Sequence, residues 1–391
     1  MCSTILQTGG RVFQKFVADL AENLSKPTSK FIRDLLCGIL FSDDLVLTNV
    51  ASKIPLNTTI TAIAKRLRRH LASNRFVPKV VLFGYLRLLR RRLDRDSLFI
   101  VDMTDIAKPY ARKTENIALV RDGDKGQLVT GYWCFEAYVL DKQKIIWPVL
   151  LWPYSLEAEG QLSENEQILR LLSLLDEYFG QGFGVYVFDR GFDRVNLIEP
   201  FLASKRHFII RQRGDRMVVL ANGVHIILGN LVEHLFAQTG SWLVHTRLYL
   251  PNVHKPLYVV ACQTPGYDKP LILLSDMVAE DFELALRIRS RYSQRWDCET
   301  SIQFLKSKMG LERFAVRRYR SMQRLVFLAS LAMGFLSFLQ SRCKNIRHRI
   351  NDHLRYCREP KGFWFYRLLI ALNDAFCRRA TMSLSAWCKP P

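Results

Sequence analysis

Four residues in "RYSQRWDCETSIQFLKSK" (291–308) have the types and spacing to handle a metal-bound phosphate: Tyr292, Arg295, Glu299 and Lys306. The stretch contains no glycine or proline before Gly310, so one continuous helix is expected. At about 100° per residue, offsets of 3, 7 and 14 from Tyr292 fall at about −60°, −20° and −40°, on one narrow stripe. Asp297, at about 140°, faces elsewhere. A single carboxylate would then stand among two cations and a phenol. The ordinary alternative is a solvated helix face laced with i,i+3 and i,i+4 ion pairs.

A metal-bound phosphate needs more than one carboxylate. Two short apolar strands supply candidates: Asp102 is read as ending the one in "SLFIVDMTD" (97–105) and Asp189 as ending the one in "GVYVFDRG" (184–191). If these are neighbouring parallel strands, the two acids face one another, and acids that close must either raise a pKa or recruit a cation. Hard oxygen ligands with no His or Cys beside them suit Mg²⁺ or Mn²⁺. Glu299 would complete a cage for two ions about 3.5–4 Å apart, the arrangement of in-line phosphoryl transfer. Asp105 and Asp193, a few residues further along, read as turn or helix caps.

The elements that must position these acids follow from periodicity and punctuation. "SKFIRDLLCGILF" (29–41), "DDLVLTNVASKI" (43–54) and "TTITAIAKRLRRHLAS" (58–73) read as helices separated by turns. From residue 97 the character changes to strands: 97–105, 127–140 and 144–152, with "DGDKG" (122–126) as a turn. "SENEQILRLLSLLDEYF" (163–179) opens with Ser163 and Glu166 in capping-box spacing, above a stripe of Ile168, Leu171, Leu172 and Leu175. A strand (184–191), a helix (192–204) and a strand (206–214) follow. Residues 215–278 alternate as strands do, and from about 280 the chain is helical again. The fold class is therefore α/β, a mixed sheet with helices packed against it. Ligands in such sheets gather at the C-terminal strand ends.

The chain has 391 residues, 49% of them hydrophobic, enough for sizeable cores. Its net charge is +21, which points to a polyanionic partner: nucleic acid first, an anionic membrane surface second. Between Lys65 and Arg95 stand eleven Lys or Arg and one acid, Asp94. Lys65, Arg66, Arg68 and Arg69 make the last of the three leading helices a DNA-docking candidate. The nine cysteines are scattered and odd in number, as in a reduced cytosolic protein. No signal pattern is seen near Met1. "LVFLASLAMGFLSFL" (325–339) falls short of the roughly 18–20 residues that cross a bilayer, so it reads as a core helix and no membrane is expected. "CKNIRHRINDHLRYC" (343–357) matches no common zinc spacing and reads as a basic, DNA-facing tail.

Tyr292-x2-Arg295-x3-Glu299-x6-Lys306, with "IVDMTDIAKP" and "VFDRGFD" before it, resembles the signature and the two aspartate segments of DDE transposases of bacterial insertion sequences, the YREK group. The resemblance implies an RNase H-like mixed sheet core over 97–214 and 279–340, and a β-rich insertion over 215–278. It also implies flanking helical segments, a DNA-binding one at 1–96 and a basic one at 341–391. Asp102, Asp189 and Glu299 would be the catalytic metal ligands for two Mg²⁺ or Mn²⁺ ions. Tyr292, Arg295 and Lys306 would hold transposon-end phosphates, and Arg211 would face DNA from a strand. The implied reaction is cleavage of double-stranded DNA at transposon ends, then transfer of the 3′-hydroxyl into target DNA. It would be carried out by a homodimer on DNA, associated with the bacterial nucleoid. Two neighbouring readings are a nuclease without strand transfer and a DNA-binding derivative that no longer cuts. In one respect the chain departs from the pattern. Relatives with a hairpin intermediate carry a tryptophan upstream of the YREK helix, where this chain has "KPLILLSD" (269–276).

Overall fold

The computed structural model describes residues 2–123, 125–160, 162–251, 253–342 and 364–377. Its chain separates into two compact units, one of Met1–Arg92, Met103–Gln161 and Glu299–Pro391, the other of Leu93–Asp102 and Leu162–Cys298. Strand β1 (Leu98–Ala107) contributes to both.

The first unit opens with helices α1 (Cys2–Ala21), α2 (Lys26–Ser42), α3 (Leu47–Ser52), α4 (Ile60–Ala72) and α5 (Pro78–Arg90). Thr59 caps α4 by accepting the Ala62 N–H, and prolines open α2 and α5, where the missing donor costs nothing. Strands β2 (Ala118–Arg121), β3 (Leu128–Leu140) and β4 (Ile146–Tyr154) form antiparallel pairs on β3. The far end of β1 runs beside β3, closely enough that a Cβ at Gly131 would lie 2.4 Å from the Ile106 carbonyl oxygen. Helices α10 (Trp296–Lys308, from Glu299 on), α11 (Tyr319–Arg342) and α12 (Phe365–Cys377) complete the unit.

Helix α11 is the unit's core. It packs on β4 and on α1, α2, α4 and α5, and its apolar residues from Met322 to Leu339 are buried. It is long and apolar enough to cross a membrane, but 94% of its most apolar window lies inside the protein, as the core-helix reading expects. The crossings are tight. A Cβ on Gly334 would meet the Tyr85 hydroxyl at 2.5 Å, and one on Gly84 would meet the Leu20 carbonyl oxygen at 2.8 Å. Side chains at either position would force helices apart.

In the second unit β1 pairs in parallel with β5 (Val185–Phe188), and β5 with β6 (His207–Arg211). The all-apolar "VYVF" of β5 is buried throughout, as a central parallel strand must be. Helix α6 (Glu164–Phe179) begins with the expected capping box, Ser163 with Glu166, and buries its predicted stripe. Helix α7 (Val195–Ala203) connects β5 to β6. A small hairpin, β7 (Met217–Val219) with β8 (His225–Ile227), then leads into α8 (Leu228–Thr239). Strands β9 (Leu243–Leu248), β10 (Leu257–Cys262) and β11 (Leu271–Ser275) follow, and α9 (Phe282–Ser293) closes the unit. β11 pairs antiparallel with β6, so the stretch 215–278 extends the main sheet. Strand by strand the order is β2-β3-β1-β5-β6-β11-β10-β9, with β4 on β3. The expected α/β class, a mixed sheet with helices packed against it, is present.

Three local expectations are corrected. Residues 228–239 are helical, where strand-like alternation was expected. Asp102 lies inside β1, which runs on to Ala107. The 291–308 helix is broken at Gln294–Arg295 between α9 and α10, so the single stripe does not exist. Short-range bonds make the joint: Arg295 N–H to Tyr292 O, and Cys298 N–H to Arg295 O, both 3.0 Å. Cys343, His348, His353 and Cys357 fall outside the described residues.

Candidate active site

In the second unit the β1–β5 register pairs Val101 with Phe188. Asp102 is the next residue of β1, and Asp189 is the residue that follows the end of β5, so each comes directly after that pair, on chains that run about 4.8 Å apart where they are paired. Both side chains are partly open to solvent, 20% and 34% exposed. Asp189 leads directly into a 3₁₀ turn, Arg190–Phe192, and so stands at the C-terminal end of the central strand β5.

Each aspartate already attracts positive charge or a donor. Arg295 is buried, and its Nη1 donates to Asp102 Oδ2 at 2.9 Å. The Cys298 thiol lies 3.7 Å from the same oxygen. Tyr292 donates its hydroxyl to Asp189 Oδ1 at 3.3 Å, and Arg211 at the end of β6 approaches that oxygen to 4.0 Å. Burial, and then the negative charge of Asp189, push the Tyr292 phenol up to about 12, so it remains a neutral donor. The break between α9 and α10 keeps Tyr292 and Arg295 working together by a turn instead of a stripe. Asp297 is exposed.

The first unit holds the rest of the signature. Glu299, half-buried, sits in the first turn of α10. Lys306, in its last turn, is gripped by two carboxylates, Asp105 Oδ1 and Glu312 Oε1, both at 3.3 Å. Burial would lower this ammonium's pKa, but the charges of Asp105 and Glu312 outweigh it and raise the value. Asp105 is thus no turn or cap: it is a buried strand residue, and its Oδ1 also accepts the Gly123 N–H at 3.2 Å. Its Oδ2 is buried with no hydrogen bond among the described residues. Asp193, also read as a cap, is buried and ion-paired to Arg216. Asp105 and Glu312 are the partners that sequence reasoning missed. Asp105 falls three residues after Asp102 and looked like punctuation, while Glu312 lies beyond Gly310 and outside the signature.

The basic helix divides by role. On α4, Lys65, Arg68 and Arg69 are exposed and line a cavity of about 900 Å³ together with Arg317 and Arg318. None of these five forms an ion pair among the described residues. Arg66 turns inward instead, with Nη2 2.7 Å from Oδ2 of the fully buried Asp34. "KPLILLSD" becomes β11, whose Ile272, Leu273 and Leu274 are buried and offer no ring to DNA.

No curated protein matches the chain. Among solved structures, the cryo-EM structure of the piggyBac transposase synaptic complex with hairpin DNA is similar at 10% identity and a TM-score of 0.46, covering 98% of this chain and 82% of that one. The family described as "Transposase DDE domain" matches residues 94–335, a span that holds Asp102, Asp189, Glu299 and the whole of the signature around them. The chain belongs to the DDE transposase family.

Proposed function

We propose that this transposase cuts double-stranded DNA at the ends of a mobile element and joins the freed 3′-hydroxyl to target DNA. The observation that carries the reading is that Asp102 and Asp189 each directly follow the paired Val101 and Phe188 of the parallel β1–β5 ladder, with Arg295 bonded to the one and Tyr292 to the other. The donor set fits hard divalent cations: carboxylate oxygens on and beside two central strands, partly open to water, with the Cys298 thiol 3.7 Å from one of them. Asp102, Asp189 and Glu299 would hold Mg²⁺ or Mn²⁺. When bound, such ions supply an activated water or hydroxyl and charge relief at the leaving oxygen.

The side chains themselves perform the positioning. The Arg295 guanidinium, bonded to Asp102, offsets the repulsion between two adjacent acids. Tyr292, kept neutral, orients the Asp189 carboxylate. Lys306 stays charged because Asp105 and Glu312 hold it. The lining of Lys65, Arg68 and Arg69 would take DNA phosphates. Exchange of one phosphodiester for another requires no protein nucleophile, and two element ends to be joined call for a homodimer.

The test is an assay of purified chain with end-bearing DNA and Mg²⁺, scored for nicks and for joined products. Nicks and joined products, both lost in Glu299→Ala, are expected. Nicks without joined products would reduce the activity to that of a nuclease. Nicking that survives Glu299→Ala would remove Glu299 from the ligand set.

A further inference from the structure

We infer that Tyr110, on the loop after β1, is a stacking platform for an unpaired base of DNA. Its side chain is 94% exposed, further into solvent than any other large hydrophobic residue among those described. A loose loop would explain such a ring, but this loop is tied at both ends. At its start the Lys108 N–H donates to Thr130 O at 2.7 Å, and the Thr130 hydroxyl donates back to Lys108 O at 2.9 Å. The Lys108 ammonium donates to the carbonyl oxygens of Glu312 and Phe314. At its end the Glu115 N–H donates to Arg317 O at 3.0 Å, and the Glu115 carboxylate accepts the Tyr319 N–H at 2.8 Å. The ring is held out in water by a framework.

Its surroundings define the ligand. Tyr110 lines a cavity of about 490 Å³ with the exposed cations Arg112, Lys113 and Arg317. None of the three forms an ion pair among the described residues. The acids close by are engaged: Glu312 with the Ala107 N–H and Lys306, Glu115 with the Tyr319 N–H. An aromatic face ringed by unmatched cations suits a nucleotide, with its base on the ring and its phosphates on the cations. A duplex backbone would need the cations but not the ring, and an apolar protein surface would need the ring but not the cations. The cavity also shares Ala315, Val316 and Arg317 with the larger one lined by Lys65, Arg68 and Arg69, so phosphate contacts continue along α4. The inference rests on the reading of DNA as substrate and adds that part of it is unpaired when bound.

The test uses the full chain without divalent metal and compares a single-stranded 20-mer with the matching duplex by fluorescence anisotropy at fixed salt. Tyr110→Ala is expected to weaken single-strand binding about ten-fold or more while duplex binding changes by less than about two-fold. Tyr110→Phe should bind as the parent does, and 5-iododeoxyuridine in the single strand should photocrosslink to Tyr110. An unchanged single-strand affinity in Tyr110→Ala, an equal loss on both DNAs, or a loss in Tyr110→Phe as large as in Tyr110→Ala overturns the platform. If the parent binds duplex but not single strand, this inference alone falls. If it binds neither, the DNA reading falls with it.

Discussion

Two groups of cations in this protein have the same chemistry and opposite circumstances. Arg295 is buried, Lys306 and Arg66 are half-buried, and all three are bonded to carboxylates: Asp102, then Asp105 with Glu312, then Asp34. Lys65, Arg68, Arg69, Arg317 and Arg318 are exposed and have no ion-pair partner among the described residues. A cation of the first kind has already lost its hydration and been matched, so it orders a site or a fold. One of the second kind keeps its charge available for an incoming polyanion. A count of lysine and arginine in the sequence merges the two groups, and only the placement of acids separates them.

The contrast can be broken by substitution. The largest effect is expected where charge defines the chemistry: Asp189→Asn should lower DNA cleavage by about 10³-fold, the scale of losing a preorganised charge in such a site. Calorimetry should show the fold intact. Next comes Arg66→Ala, which leaves the buried Asp34 with Arg33 alone and should cost roughly 2–3 kcal/mol in denaturant unfolding. An Arg66→Ala chain as stable as the parent, but weaker on DNA, would return Arg66 to the other group. Arg68→Ala and Arg69→Ala should each change stability by less than about 0.5 kcal/mol. Each should also flatten the slope of log affinity against log salt by about one unit for duplex DNA.

The smallest effect concerns His207, whose imidazole Nδ1 donates a hydrogen bond to Asp276 Oδ2 at 2.8 Å, a contact that raises its pKa. A raised folded-state value means the contribution is complete below the ordinary imidazole pKa of about 6.5 and fades as pH rises through the folded value. His207→Gln should therefore cost about half a kcal/mol or less near pH 5 and nothing near pH 9, measured by urea unfolding.

What the sequence made legible depended on whether the cause was local. The capping box of Ser163 and Glu166, the buried stripe of α6 and the arrival of Asp189 at a strand end rest on neighbouring residues, and all are found as read. Helix α8 carried a local signal too, Leu228, Leu231 and Val232 at helical spacing before the left-handed Gly240, but strand-like flanks obscured it. The break at Gln294–Arg295 had no glycine or proline to announce it. There Tyr292 and Arg295 bond to Asp189 and Asp102, over a hundred residues earlier in the chain, and long-range bonds outweigh helix propensity. Asp105 likewise looked like a turn residue until Lys306, about two hundred residues away, was seen to need a counter-charge.

The glycine crossings around α11 have a practical consequence for anyone hoping to retarget the enzyme. Because Gly334 lets α11 seat against Tyr85 of α5, and Gly84 lets α5 seat against the backbone of α1, the leading ninety or so residues are not a detachable cassette. Trimming them away would lay bare a long greasy rod, and grafting a foreign reader domain in their place would require re-sculpting the whole flank it lies against.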